Sequence, residues 1–262
     1  MKMHKPIRKR VRTWIAILIV LAIYIWAFAG APIMEIKETA INSMKGMFTG
    51  LIHPDWGYVY DPDGEDLLRS LLETLAIAIL GTFISAILCI PFALLAALNV
   101  SKSRSTAATF KVVLSAIRVF PELILALIFI KAVGLGPFAG ILALGIHSIG
   151  MLGKLIAESI ENLDLSASEA ITASGANKMQ TLWFAVVPEV LPAFMSYTLY
   201  RFEISVRAAA ILGIVGAGGI GAPLIFALNG HTWDRVGIIL IGIVVMVTTI
   251  DLISSSIRRR IV

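Results

Sequence analysis

The sequence predicts an all-α integral membrane protein of about six transmembrane helices, and three observations lead there. Apolar residues make up 58% of the 262 residues and charged ones 15%, against about 25% charged in an ordinary soluble domain. The apolar residues gather in runs of roughly 20 or more, the length a helix needs to cross a bilayer. The basic residues, which leave a net charge of +5, stand at the edges of those runs. Membrane topology therefore explains the charge better than nucleic-acid binding does. The single cysteine, Cys89, lies inside an apolar run. It excludes an intramolecular disulfide and reads as a small buried hydrophobe.

The elements follow in order. Lys2, Lys5, Arg8, Lys9, Arg10 and Arg12 form a basic anchor ahead of the charge-free run Thr13–Met34, the first span. Trp14–Trp26 followed by Ala27-Phe28-Ala29 also has the form of a signal-peptide core and cleavage site. An uncleaved span is expected, because the rest of the chain already uses uncleaved spans. We place a first segment at 1–31. Residues 32–66 form an external segment. Within it, Ile33, Ile36, Ala40, Ile41, Met44, Met47, Phe48, Leu51 and Ile52 recur at helical spacing opposite Glu35, Lys37, Glu38, Asn42 and Lys45. This predicts an amphipathic helix on the outer membrane surface. A turn-rich acidic loop follows, from His53 to Asp66.

A core is expected over 67–257, with a basic tail at 258–262. The second span runs from Leu67 to about Leu98, with Pro91 as a possible kink. The third, Phe110–Val133, carries Arg118, Pro121 and Glu122, and the fourth, Phe138–Ile156, carries His147. The fifth, Val190–Val215, carries Arg201, Glu203 and Arg207. Gly216–Asn229 is apolar enough to re-enter the membrane, and the sixth span, Val236–Ile257, ends in Arg258-Arg259-Arg260. Of the 22 Lys and Arg, 14 fall in segments placed inside, five outside and three within spans. That bias puts both termini in the cytoplasm.

The stretch Ser166–Pro188 is polar enough to stay in water between two spans. Ser166 and Glu169 are spaced as a capping box. Gly175 can take left-handed angles and end the helix. A second short piece, Met179–Val187, is expected to stop at Pro188. Within the membrane, Arg118 and Glu122 stand four apart on one helical face, as do Glu203 and Arg207, so each pair can satisfy itself. Arg201 is left over, giving a net charge of one per chain in the spans with His147 neutral. Such groups either line an anion's path or form structural ion pairs. His147 reads as a hydrogen-bonded core histidine rather than a proton relay.

Several chemistries are not supported by any motif. Gly216-x-Gly218-x-x-Gly221 matches a dinucleotide fingerprint in letters only, since no strand precedes it. Gly218 and Gly219 are better read as close backbone packing or a flexible turn near an outer gate. There is no GxxxxGK[ST] loop and no HExxH, and His147 with Glu122 or Glu203 makes no nucleophile–base constellation. The chain is therefore expected to do no covalent chemistry and to hold no metal or cofactor.

Glu169-Ala170, then Gly175, then Pro188 resembles the EAA signature of permease subunits of ABC importers. Ile171, Ala185 and Val187 depart from that signature, each remaining small or apolar. Arg118-x-x-Pro121-Glu122, Arg201-Phe202-Glu203, Arg207-Ala208-Ala209-Ala210-Ile211-Leu212-Gly213 and Gly216–Gly221 are similar to the phosphonate permease branch, over roughly residues 67–257. The resemblance implies a type I importer bundle in a bacterial inner membrane, with Ser166–Pro188 as the coupling helix. It also implies a homodimer, two ATP-binding subunits that carry ATP and Mg, and an external binding protein delivering phosphonate or a related phosphorus oxyanion. A same-fold importer of another small solute, such as methionine or another amino acid, and, in another class, a stand-alone secondary transporter are the alternatives. The latter predicts internal inverted repeats, which are not visible.

Overall fold

A computed structural model of the protein describes residues 7–30, 38–62, 64–101 and 103–261. The chain divides into two compact units, residues 1–45 and 46–262. The first unit holds α1 (Ile7–Gly30) and the start of α2 (Glu38–Ile52). From Arg12 to Ala29, α1 buries none of its side chains within the chain, as suits a helix facing lipid. The early basic residues Lys2 and Lys5 and the residues 33–37 of the amphipathic segment lie outside the described residues.

In the second unit, α3 (Leu67–Ala96) and α6 (Pro137–Glu161) form the most extensive helix pair, with α9 (Val187–Leu212) against both. Small residues set the approach. A Cβ on Gly81 of α3 would come within 3.0 Å of Leu144 on α6. One on Gly153 of α6 would come within 2.8 Å of Leu114 on α4 (Arg104–Val119). Without a hydrophobic drive between helices in lipid, such close backbone contact is what holds a bundle together. Cys89 is fully buried in this core. Its Sγ donates to the carbonyl of Ala86 at 3.2 Å.

Among the described residues, five helices are long and apolar enough to cross a membrane, or six if one bent pair counts as a single span. That pair corrects the expectation of a continuous third span. α4 and α5 (Glu122–Val133) meet at an angle of 83°. Proline disfavours helical angles in the residue before it, and Phe120, preceding Pro121, is extended at φ −68°, ψ 123°, whereas α3 and α9 run on through Pro91 and Pro192. With 12 residues α5 is about 18 Å long. That is short of the ~30 Å bilayer core.

The last span also differs from expectation. α11 runs Trp233–Ile261, so Arg258–Arg260 belong to the helix and not to a separate tail. Between α9 and α11, a short turn of 3₁₀ helix (Gly213–Val215) and α10 (Gly221–Asn229) fold back as one apolar connection. The later part of α2 is held against α11 by glycines: a Cβ on Gly237 would collide with the carbonyl group of Gly50, 2.7 Å from its carbon. The apolar side chains of α2 that define its amphipathic face, Met47 and Phe48 among them, remain exposed.

Candidate functional site

Three groups of side chains sit at successive levels along α6. The first is the glycine-rich turn beside its start. Gly216, Gly218 and Gly219 all take left-handed angles, with φ of 91°, 81° and 80°. The turn is pinned from α3. The N–H of Gly219 donates to Glu73 Oε1 at 3.1 Å, and the N–H of Ile220 to Thr74 Oγ1 at 2.8 Å. The N–H of Gly136, just before α6, donates to the carbonyl of Gly216 at 2.9 Å. A Cβ on Gly218 would stand 2.8 Å from both Glu73 Oε1 and Pro137. Glu73 and Thr74 were not read as functional. Their signal was a carboxylate and a hydroxyl placed near the start of an otherwise apolar span.

The second level lies ten residues on, about 15 Å along the helix axis. Here Glu122, His147 and Arg201 come together from α5, α6 and α9. Arg201 is 2% exposed and is the largest fully buried side chain. Its Nη2 donates to Glu122 Oε1, its Nε donates to Ser148 Oγ at 2.7 Å, and its Nη1 lies 3.6 Å from Met151 Sδ. His147 Nε2 stands 3.3 Å from the same Glu122 oxygen. Its Nδ1 is 3.0 Å from the carbonyl of Phe120 at the α4–α5 break.

This arrangement overturns both expected i,i+4 pairs. The break turns Arg118 and Glu122 off a common face. Glu122 takes Arg201, the residue expected to be left over, while Arg118 is exposed and makes no ion pair among the described residues. Glu203 bonds not to Arg207 but to Arg258 of α11, at 3.1 Å. Arg207 meets Asp251 of α11 at 3.3 Å, where both are about half exposed. Antiparallel packing of α9 on α11 outcompetes the spacing within α9. Asp251 lies inside the sixth span and was left out of the in-span charges. With it, Arg118, Arg201 and Arg207 are matched by Glu122, Glu203 and Asp251, and the expected net positive charge disappears. Among the described residues, no cluster of three His, Cys, Asp or Glu could hold a metal ion.

The third level is the far end of α6, about 21 Å beyond His147. Glu161 accepts from Lys111 Nζ of α4 and from the N–H of Leu98 after α3, both at 2.8 Å. Beyond it comes α7 (Ser166–Ala173). The expected Ser166–Glu169 capping box is absent. Ser166 is already the first helical residue, its N–H donates to Asp164 Oδ1 at 3.1 Å, and Glu169 is exposed. The box occurs one helix later, at α8 (Lys178–Thr181). Asn177 Oδ1 accepts from the N–H of Gln180 at 2.9 Å, and Gln180 Oε1 accepts from the N–H of Asn177 at 2.8 Å.

Gly175 ends α7 as expected, at φ 89°. The N–H of Gly175 bonds the carbonyl of Thr172 at 2.9 Å and that of Ala176 the carbonyl of Ile171 at 3.4 Å, the Schellman pattern. Pro188 does not stop the helix. One wide π turn, Leu182–Val186, joins α8 to α9, and Pro188 sits in the first turn of α9, where no N–H is needed. The loops and helices here border an open pocket of about 510 Å³ lined in part by Val100, Ile160, Leu163, Thr172 and Leu182. Ala170, Met179, Trp183 and Phe184 stay exposed, an apolar face on a solvent-compatible element.

Residues 89–262 match the family described as the binding-protein-dependent transport system inner membrane component. The chain is 43% identical over 192 residues to the phosphite transport system permease protein PtxC of Stutzerimonas stutzeri, covering 73% of this chain and 70% of that one. It is 41% identical over 217 residues to the phosphate-import permease protein PhnE of Mycolicibacterium smegmatis, covering 83% of this chain and 40% of that one. In fold it is similar to a chain of the inward-facing MetNI methionine ABC transporter, with a TM-score of 0.65 at 23% identity over 75% of this chain and 96% of that one. The all-helical bundle, the broken third span, the EAA-like stretch and a family match over two-thirds of its length agree: this chain belongs to the binding-protein-dependent transport system inner membrane components, as a multi-pass permease of the type I ABC importer fold.

Proposed function

We propose that the chain is the membrane-spanning subunit of an ATP-driven importer of phosphorus oxyanions, phosphonate, phosphite or phosphate. The observation that carries the cargo is the 41–43% identity to permeases named for phosphite and phosphate. Arg118, exposed beside the α4–α5 break and free of an ion pair among the described residues, is the cation best placed to meet an anion. Arg201 and His147 are held by Glu122 behind it.

In this reading two copies of the chain pair, and each docks one ATP-binding subunit through Glu169, Ala170, Met179, Trp183 and Phe184. A short helical element with an apolar face is a standard insert for a groove on a partner. The α7–α8 end then lies in the cytoplasm with both termini. The glycine-rich turn lies toward the external binding protein and serves as gate. ATP and Mg reside on the partner, because this chain has no phosphate-cradling loop. Closing of the ATPase pair moves α7 and α8, and the π turn hands that motion to α9.

The test is ATP hydrolysis by the chain reconstituted in lipid with its ATP-binding subunit and binding protein. Phosphite, phosphonates, phosphate and methionine are supplied in turn. Stimulation by the phosphorus oxyanions and not by methionine is the expected result. Stimulation by methionine alone overturns the cargo and keeps the architecture. Transport with no ATPase bound overturns the importer.

A further inference from the structure

The hydrogens at the second level do not balance without one extra proton. A carbonyl oxygen only accepts, so His147 Nδ1, 3.0 Å from the carbonyl of Phe120, carries a hydrogen. A neutral imidazole has one N–H, which leaves a lone pair on Nε2. That lone pair faces Glu122 Oε1 at 3.3 Å, and an ionised carboxylate is also only an acceptor. Arg201 donates to the same oxygen, but its hydrogens point from its own side and do not fill the gap.

We infer that the Glu122–His147–Arg201 cluster is a proton-binding site, in which one proton held between His147 Nε2 and Glu122 Oε1 ties α6 to the α4–α5 break. The balance is simple. The bound state is an imidazolium against a carboxylate, or an imidazole against a carboxylic acid. Release sends the proton to water past Glu122, which is about one-fifth exposed, and leaves two acceptors face to face. The contact then has to open. Opening also strips Phe120 of its donor. This is the carbonyl that the break leaves without a helical partner, since the N–H of Ile124 goes to Pro121 instead, at 3.1 Å. Losing the proton thus loosens the α4–α5 joint, and binding it fixes the bend. The site is distinct from the cargo reading, which asks only for exposed cations.

The charged neighbours are few. Arg118 faces the imidazole from α4, Glu122 from α5 and Arg201 from α9. Ser148 and Met151 on α6 are taken up by Arg201. The Glu203–Arg258 and Arg207–Asp251 pairs between α9 and α11 are closed on themselves. On α3, Glu73 is engaged at the glycine-rich turn and Cys89 is bonded within its own helix.

The full-length chain, labelled with ¹⁵N-histidine in lipid nanodiscs, tests this by NMR. The four histidines are separated by assigning His147 as the signal lost in His147→Gln. Titration runs to either side of the ordinary histidine midpoint of about 6.5. Below the step Nδ1 should be protonated and Nε2 should share the second proton with Glu122, and the ring should lose that shared proton in a single one-proton step. In Glu122→Gln the amide N–H fills the gap permanently, and that step should be lost. If that variant does not reach the membrane, the wild-type titration decides alone. An Nε2 that shares no proton at any pH, or an Nδ1 unprotonated below the step, overturns the site. In the reconstituted importer the uptake profile should bend at the same pH as the NMR step, and Glu122→Gln should flatten it. A structural role alone would scale the profile without moving its bend, and a wild-type profile with no bend overturns the link to the joint. Failure of phosphorus oxyanions to be carried, with the NMR step present, refutes the cargo and not the proton.

Discussion

Arg201→Met removes the cation from the centre of the bundle while keeping most of its volume. Three bonds go with it: to Glu122, to Ser148 Oγ and to Met151 Sδ. Breaking one side of a buried ion pair costs about 3–5 kcal/mol, because the surviving charge is left uncompensated. Glu122 is one-fifth exposed and keeps His147 beside it, so part of that cost is relieved by water and by the shared proton. The expected loss is about 2–4 kcal/mol, with the unpaired Ser148 hydroxyl contributing about 1 kcal/mol of it. The assay is equilibrium unfolding in mixed micelles, following tryptophan fluorescence. Arg201→Met/Glu122→Gln removes the orphaned charge as well. It should recover at least about 1 kcal/mol, within the 0.5–3 kcal/mol range of direct couplings. Stability of Arg201→Met within about 0.5 kcal/mol of wild type, the scatter of a surface change, would refute the picture of a buried, energetically coupled cluster. So would strict additivity in the double variant.

Three further outcomes follow from the other levels. Gly219→Val forces a β-branched residue to φ 80° and sets a Cβ 2.7 Å from Thr74 Oγ1. The backbone alone costs about 1–2 kcal/mol, and uptake should fall at least tenfold at unchanged membrane abundance, whereas Glu73→Gln, which still offers an oxygen to the Gly219 N–H, should keep most of it. Gly175→Pro cannot adopt φ 89°, so it should abolish cargo-stimulated ATP hydrolysis without affecting membrane insertion, as should Glu169→Lys by reversing an exposed charge; wild-type coupling in both would remove Ser166–Pro188 from the docking face. Gly237→Val drives a side chain into the backbone of Gly50. It should lift the end of α2 from α11 and speed proteolysis within residues 53–66, and an unchanged cleavage rate would contradict that packing.

What the sequence disclosed and what it hid divide along a physical line. Features fixed within a few residues were readable. The apolar runs gave the spans, and Gly175 gave the helix end, because only the local backbone decides them. The break at Pro121 is less readable: Phe120 is extended ahead of it, whereas Pro91 and Pro192 sit inside α3 and α9 without ending them. Apolar continuity through Phe110–Val133 suggests one helix. The capping box was sought at Ser166 but sits at Asn177-x-x-Gln180, which has the same form in the sequence. The partners of the in-span charges are of another kind. Spacing of four made Glu203 and Arg207 a pair, but Arg258 and Asp251 come from a helix some 50 residues away. Nothing local to α9 encodes the level at which α11 passes it.

The same distinction separates the parts that bear on transport. The glycine-rich turn, the proton-holding cluster and the Glu161 contact are set beside one unbroken helix, α6, at intervals of about 15 and 21 Å. A continuous helix with its glycines packed against α3 and α4 resists displacing these levels independently. What can change are the joints around it. The structure has three: the α4–α5 bend at Pro121, the π turn ahead of Pro188, and the left-handed turn at Gly216–Gly219. Two of them are latched by polar groups of packed helices, His147 on Phe120 at the bend and Glu73 with Thr74 on the glycine turn, and the π turn follows the Asn177–Gln180 cap of α8. A bundle with rigid helices and polar-latched joints switches between discrete arrangements rather than flexing continuously. For a permease that must never be open on both sides, that is the mechanical property required.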